Sequence, residues 1–192
     1  MAKTPWEMAE VGSEFSHQTA LFAWAAMARL FGPAIANQAE SYAIAGYAKQ
    51  AFERAYVLKG ENVNGIIPIV ELKWLHAIKN QGHGDKVRGA RSNAEGLRAG
   101  VFDVFLPVTR ELQGGAKLEG GLMGHQDAWI YCGLYIELKT PDRINHKDGG
   151  ASDVQLDFQV DMRAAGYAAE ICHGWQAARD CLLTYLGKSQ QS

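Results

Sequence analysis

Apolar positions recur at helical intervals from residue 5 to residue 31. Phe15, Leu21, Phe22, Trp24, Ala25, Met27 and Leu30 keep one stripe, and Gly32-Pro33 ends it. Pro33 suits the first turn of a second, alanine-rich helix that is predicted to reach Leu58 before Gly60 stops it. Trp74 to Ile78 predicts a strand, and Asp85 to Leu97 a helix that Gly89 weakens. Val101-Phe102-Asp103-Val104-Phe105-Leu106 is aromatic and β-branched and is closed by Pro107, which predicts a buried strand. Residues 109 to about 131, with Gly114, Gly115, Gly120, Gly121 and Gly124, read as loop-rich, with no strand assigned. A second strand follows at Leu134 to Lys139, then a polar, Gly-rich stretch from 140 to 151. Ser152 and Gln155 have capping-box spacing ahead of Val154, Phe158 and Met162, so a helix should run to Ala165. Gly166 ends it; Tyr167 to Cys172 predicts a strand and Trp175 to Leu186 a last helix. No internal repeat interrupts this order. It predicts an α/β fold, with a mixed central sheet flanked by helices and extra helices at the N-terminus.

The bulk numbers agree with that picture and narrow the function classes. A length of 192 residues predicts a single domain with a proper core. Hydrophobic and charged fractions of 47% and 21% are those of an ordinary globular chain rather than a disordered one. No apolar run reaches the roughly 18 residues that a membrane helix requires, so no membrane role is expected. The opening MAKTPWEMAEVGSEF carries acids where a secretory signal is apolar, which predicts a cytoplasmic protein. Cys132, Cys172 and Cys181 show no metal or disulfide spacing and read as reduced thiols. Zinc is not expected either, because His125, Asp127, Cys132 and His146 follow no standard ligand pattern.

The net charge of −2 does not announce nucleic acid, but the local balance differs. Residues 73 to 98 hold six Lys or Arg against two acids, a balance of +4. Such a patch is what a phosphate backbone requires, and equally what a solvated helix face looks like.

The chemistry lies in two strands that carry charge where core strands rarely do. Asp103 stands inside VFDVFL, and Glu137 and Lys139 stand two apart in YIELK, so their side chains share one face. Burying lone carboxylates is costly, and a hard cation relieves it. Adjacent strands would let Asp103 and Glu137 share one Mg²⁺, with Lys139 beside it to orient an attacking water. The plainer alternative for Glu137 and Lys139 is an ion pair at a sheet edge. The triplet alone is weak evidence, since Ile69-Val70-Glu71-Leu72-Lys73 repeats it. An Asp-bearing apolar strand precedes the second copy but not the first, and the second copy is preferred. Asp103 is preferred to Asp127, which lies in the Gly-rich GGLMGHQDAW.

Taken together, Asp103, GLYIELK (133–139), SDVQLDF (152–158) and AAGYAAEICHGWQAARDCLLTYL (164–186) resemble the virus-type replication-repair nuclease (VRR-NUC) domain. That family belongs to the PD-(D/E)XK superfamily, and its stand-alone members come largely from bacteriophages and prophages. LHAIKN (75–80), AEGLRAGVFDVFLP (94–107) and GSEFSHQTALFAWA (12–25) extend the resemblance upstream. It implies a restriction-endonuclease-like core and a Mg²⁺-dependent endodeoxyribonuclease, with Mn²⁺ as a possible substitute. It also implies metal ligation by Asp103, Glu137 and the Leu138 carbonyl, with Lys139 as the catalytic lysine. Gln155 matches the glutamine of the family's SxxQ motif near the active site, and Glu14 the helix acid of the metal shell. Their plainer alternatives are a cap completed with Ser152 and a solvated helix residue. Branched DNA such as a four-way (Holliday) junction is the implied substrate, cut by a homodimer. Phe102 departs from the family's Pro, Asn80-Gln81-Gly82 from its NGG, and residues 33–70 and 109–131 read as insertions. The rivals are a catalytically silent DNA-binding or assembly protein with this fold, and a nuclease of linear duplex.

Lys86, Arg88 and Arg91 recur within two turns of the stretch leading into the Asp103 strand, where cations would hold DNA over the metal. Removing the charges of Arg88 and Arg91 together should flatten the log-log salt dependence of duplex binding by roughly 2, at about 0.9 per contact. Fluorescence titrations over a salt series measure it, and an unchanged slope moves the DNA surface elsewhere.

Overall fold

The computed structural model describes residues 3–38, 67–78, 98–112, 118–123 and 128–188. The chain forms two compact units, one of Met1–Leu75 with Cys172–Ser192 and one of His76–Ile171.

The first unit is helical. The stripe from residue 5 to 31 forms two helices rather than one, α1 (Pro5–Ala9) and α2 (Glu14–Phe31). The break has a local cause. Ser13 is extended and its hydroxyl accepts from the Ser16 N–H at 3.1 Å, while the Ser16 hydroxyl accepts from the Ser13 N–H at 3.0 Å. This reciprocal cap starts a new helix that the apolar spacing alone did not reveal. Pro33 opens α3 (Pro33–Gln38) as predicted, and the rest of the expected helix to Leu58 lies outside the described residues. A 3₁₀ turn at Val70–Trp74 packs on α2, held by the Ile69 N–H donating to the Ala28 carbonyl at 3.1 Å. The last helix of this unit, Trp175–Tyr185, also packs on α2, and Leu21, Trp24, Trp175, Leu182 and Tyr185 are fully buried.

The second unit holds the sheet. Strands β1 (His76–Ala77), β2 (Val104–Leu106), β6 (Leu134–Lys139) and β7 (Ala168–His173) lie side by side in that order. β1, β2 and β6 are antiparallel, with Val104 opposite Ile136 and Phe105 opposite Tyr135. β7 instead starts beside the start of β6, where Cys132 donates to the Gly166 carbonyl and Ala168 to the Gly133 carbonyl, at 2.9 and 3.0 Å. The two are therefore parallel, joined by helix α4 (Asp153–Ala164), with the Trp175–Tyr185 helix numbered α5. The sheet is mixed and helix-flanked, as the sequence predicts. An aromatic layer joins α4 to its face: Phe105 and Tyr135 stack at 4.2 Å, and Phe158 of α4 meets Tyr135 and Phe102 at 5.2 Å each.

Three expectations are corrected here. The strand expected from Trp74 is only His76–Ala77, because the turn at Val70–Trp74 precedes it. The strand expected from Val101 begins at Val104, leaving Asp103 just outside it. The stretch 109–131 is not all loop: β3 (Arg110–Leu112), β4 (Leu122–Met123) and β5 (Trp129–Tyr131) form a second antiparallel sheet ordered β3-β5-β4. The β-branched and aromatic Trp129-Ile130-Tyr131 overrides the glycines around it. Gly120 bridges to Ala168, and Arg163 ties this arm down by bonding both Glu119 and Glu170. Burial, ahead of the neighbouring Glu119, pushes the Glu170 carboxyl above its ordinary range, while Arg163 pulls it down. No helix among the described residues is long and apolar enough to cross a membrane.

Buried His17 accepts from the Trp175 N–H through Nδ1 at 3.4 Å, and burial holds its imidazole below the ordinary value of 6.5. The folded state thus binds fewer protons than the unfolded one. The stabilising contribution is complete above pH 6.5 and is lost as pH falls through the folded value. Urea denaturation from pH 5 to 8 should show this decline in the wild type and a flatter profile for His17→Gln.

Candidate active site

Strand β6 ends in two charged residues, yet it is the most buried strand of the sheet. Glu137 is 1% exposed and Lys139 7%. Two residues apart, they share a face, and the Lys139 ammonium donates to Glu137 Oε1 at 2.7 Å. Transferring either charge alone from water would cost several kcal/mol, so the close pair is what lets the strand keep both.

Gln155 of α4 reaches the same oxygen, its amide nitrogen donating to Glu137 Oε1. The helix N-terminus fixes that amide. The Ser152 N–H and hydroxyl both donate to Gln155 Oε1, at 2.9 and 3.2 Å, which points the NH₂ end at Glu137. The capping box expected from the sequence is therefore present, and it also orients Gln155. The cap and the contact with Glu137 are here one arrangement.

Asp103 directly precedes β2, at the end where the β2–β6 ladder stops with Val104 opposite Ile136. There the Asp103 carboxylate takes over from the ladder, Oδ2 accepting from the Leu138 N–H at 3.1 Å. Gly100 helps place it. With φ at 82° it lies so close to the first turn of α4 that a Cβ would overlap the Val154 carbonyl. The chain entering Asp103 is thus set against the helix that carries Gln155.

The structure brings together Asp103, Glu137, Leu138, Lys139 and Gln155. Glu14, exposed in the first turn of α2, belongs to the other unit. Lys86, Arg88 and Arg91, with Asp127, lie outside the described residues. The duplicate triplet is not on a strand: Glu71 sits in the 3₁₀ turn, and exposed Lys73 lies over the Trp74 ring at 4.9 Å. Sequence reasoning expected the Leu138 carbonyl as a ligand and missed its N–H as the anchor of Asp103. It also treated Ser152 only as a cap, although the Ser152–Gln155 spacing was the signal for both roles.

The donor set suits a hard cation. Two carboxylates and a main-chain carbonyl are oxygen ligands of the kind Mg²⁺ takes while keeping several waters. Among the described residues, no group of three or more His, Cys, Asp or Glu gathers so as to hold a metal ion.

No family model matches the sequence, and no curated protein matches it. Among solved structures, one described as a VRR_NUC domain protein aligns over 67% of this chain and 78% of its own, at 18% identity and a TM-score of 0.41.

Because Lys139 neutralises a buried carboxylate, Lys139→Met in metal-free protein should destabilise by about 3 kcal/mol. Adding Glu137→Gln should recover most of that loss. Chemical denaturation of the four proteins of this double-mutant cycle measures it, and additive losses would mean the two charges are not coupled.

Proposed function

We propose that this chain is a metal-dependent DNA endonuclease whose site is Asp103, Glu137 and Lys139, supported by Gln155. The observation that carries the reading is the meeting at Glu137: a lysine and a glutamine donate to one carboxylate oxygen, while Asp103 is anchored on the N–H of Leu138, the next residue of the same strand. A purely structural ion pair would need neither Asp103 nor the amide.

In this reading Asp103 and Glu137 bind Mg²⁺, or Mn²⁺ in its place, together with the Leu138 carbonyl. When bound, the metal polarises the scissile phosphate and lowers the pKa of a coordinated water. The chain's own residues do the rest. Glu137 fixes the Lys139 ammonium on the face where the phosphate arrives, so the cation can aim the attacking water and offset charge on the phosphate. Gln155 holds the Glu137 carboxylate in one orientation, and Ser152 holds Gln155. The Leu138 N–H keeps Asp103 at the ladder's end.

The sequence resemblance to the VRR-NUC domain supports DNA as the substrate class, with branched DNA such as a four-way junction preferred and a homodimer supplying paired sites. Lys86, Arg88 and Arg91 would hold the duplex arms.

A cleavage assay with Mg²⁺ on duplex, flap and four-way-junction DNA tests the reading. Asp103→Ala and Lys139→Ala should lose cleavage by a factor of at least about 100, yet keep DNA binding, since phosphate contacts lie elsewhere. Glu71→Ala should keep near-normal activity. If it is the dead variant, the wrong triplet has been chosen.

A further inference from the structure

The segment between Lys139 and Ser152 is an arch whose two feet both stand on Glu137. Lys139, just before it, donates to Glu137 directly; Ser152, just after it, holds the glutamine that donates to the same oxygen. Between them the chain is tightly turned. Arg143, His146, Gly149 and Ala151 each donate their N–H to the carbonyl three residues back, at 2.9–3.2 Å. Asp148, Gly149 and Gly150 reverse the chain in the left-handed region, with φ of 53°, 63° and 77°.

This arch presents Arg143, His146 and Lys147 to solvent. The arginine and the lysine are not equivalent. Lys147 faces its own neighbour, with the ammonium 3.6 Å from Asp148 Oδ2. Arg143 makes no ion pair with a described residue. Its aliphatic stem lies along Gly150, where a Cβ would stand 3.1–3.3 Å from its Cβ, Cγ and Cδ. The adjacent Asp142 carboxyl is held below its ordinary range first by the Thr140 hydroxyl, and then by the nearby charge of Arg143 and by His146. The arch therefore presents one exposed guanidinium, its stem beside Gly150, four residues after Lys139. A guanidinium suits a phosphate through its planar fork of donors.

We propose that the arch of residues 140–151 is a phosphate-binding rim of the site, with Arg143 contacting the DNA backbone beside the scissile bond. The inference rests on the nuclease reading above and adds a DNA contact surface distinct from Lys86, Arg88 and Arg91.

Binding of a fluorescein-labelled linear duplex is titrated over a salt series, with EDTA present to prevent cleavage, for wild type, Arg143→Ala, Arg143→Lys and Lys147→Ala. Thermal melts check that each variant is folded. Arg143→Ala should flatten the log-log slope by about 0.9, the loss of one phosphate contact. Arg143→Lys should restore the slope, and Lys147→Ala should leave it at the wild-type value. A wild type that cuts DNA while Arg143→Ala keeps the full slope overturns the rim and leaves the nuclease reading standing. So does a Lys147→Ala loss as large as that of Arg143→Ala. A wild type that neither binds nor cuts DNA overturns both.

Discussion

One carboxylate oxygen, Glu137 Oε1, organises the second unit. It is buried at the end of the central strand, where a lone negative charge would cost several kcal/mol. Two donors meet that cost from different elements, Lys139 from the same strand and Gln155 from the helix above it. The orientation of Gln155, set by Ser152, keeps that oxygen supplied with a second donor. The aromatic layer of Phe102, Phe105, Tyr135 and Phe158 supplies the apolar burial that holds helix to sheet while the charges sit at its edge.

The same arrangement connects stability with chemistry. A lysine and a glutamine hold the Glu137 carboxylate in place through one of its oxygens. Asp103 is held differently, at the frayed end of a ladder, on a main-chain N–H rather than a cation. On the proposed reading, a divalent cation shared by these two unlike carboxylates would replace part of the compensation that the protein's own donors provide.

Much of this was legible in the sequence, for physical reasons that differ by element. YIELK spaces Glu137 and Lys139 two apart, and a strand's alternation then puts them on one face. S-x-x-Q before an apolar helix stripe announced the cap, and the cap is what turns Gln155 toward Glu137. The limits of strands were harder to read. VFDVFL looks uniformly strand-like, yet the ladder starts only at Val104, because the Asp103 carboxylate claims the Leu138 N–H that the ladder would have used. The N-terminal stripe hid a break, since Ser13 and Ser16 cap each other while the apolar spacing runs on. The glycines of 109–131 masked a small sheet held by Trp129-Ile130-Tyr131 and by Arg163, whose partners Glu119 and Glu170 are far apart in sequence. Pairings of that kind depend on tertiary neighbours, which no local pattern contains. The duplicate Glu71-Leu72-Lys73 makes the same point from the other side, since identical letters sit in a 3₁₀ turn.

The central claim is that Asp103 and Glu137 together bind a divalent cation. Mn²⁺ titration followed by electron paramagnetic resonance tests it on the intact chain, because bound ion loses the signal of the free one. The account predicts binding by the wild type and its loss, by tenfold or more in affinity, in both Asp103→Asn and Glu137→Gln, each checked to be folded. Undiminished binding in both variants, or no binding in the wild type, would contradict it.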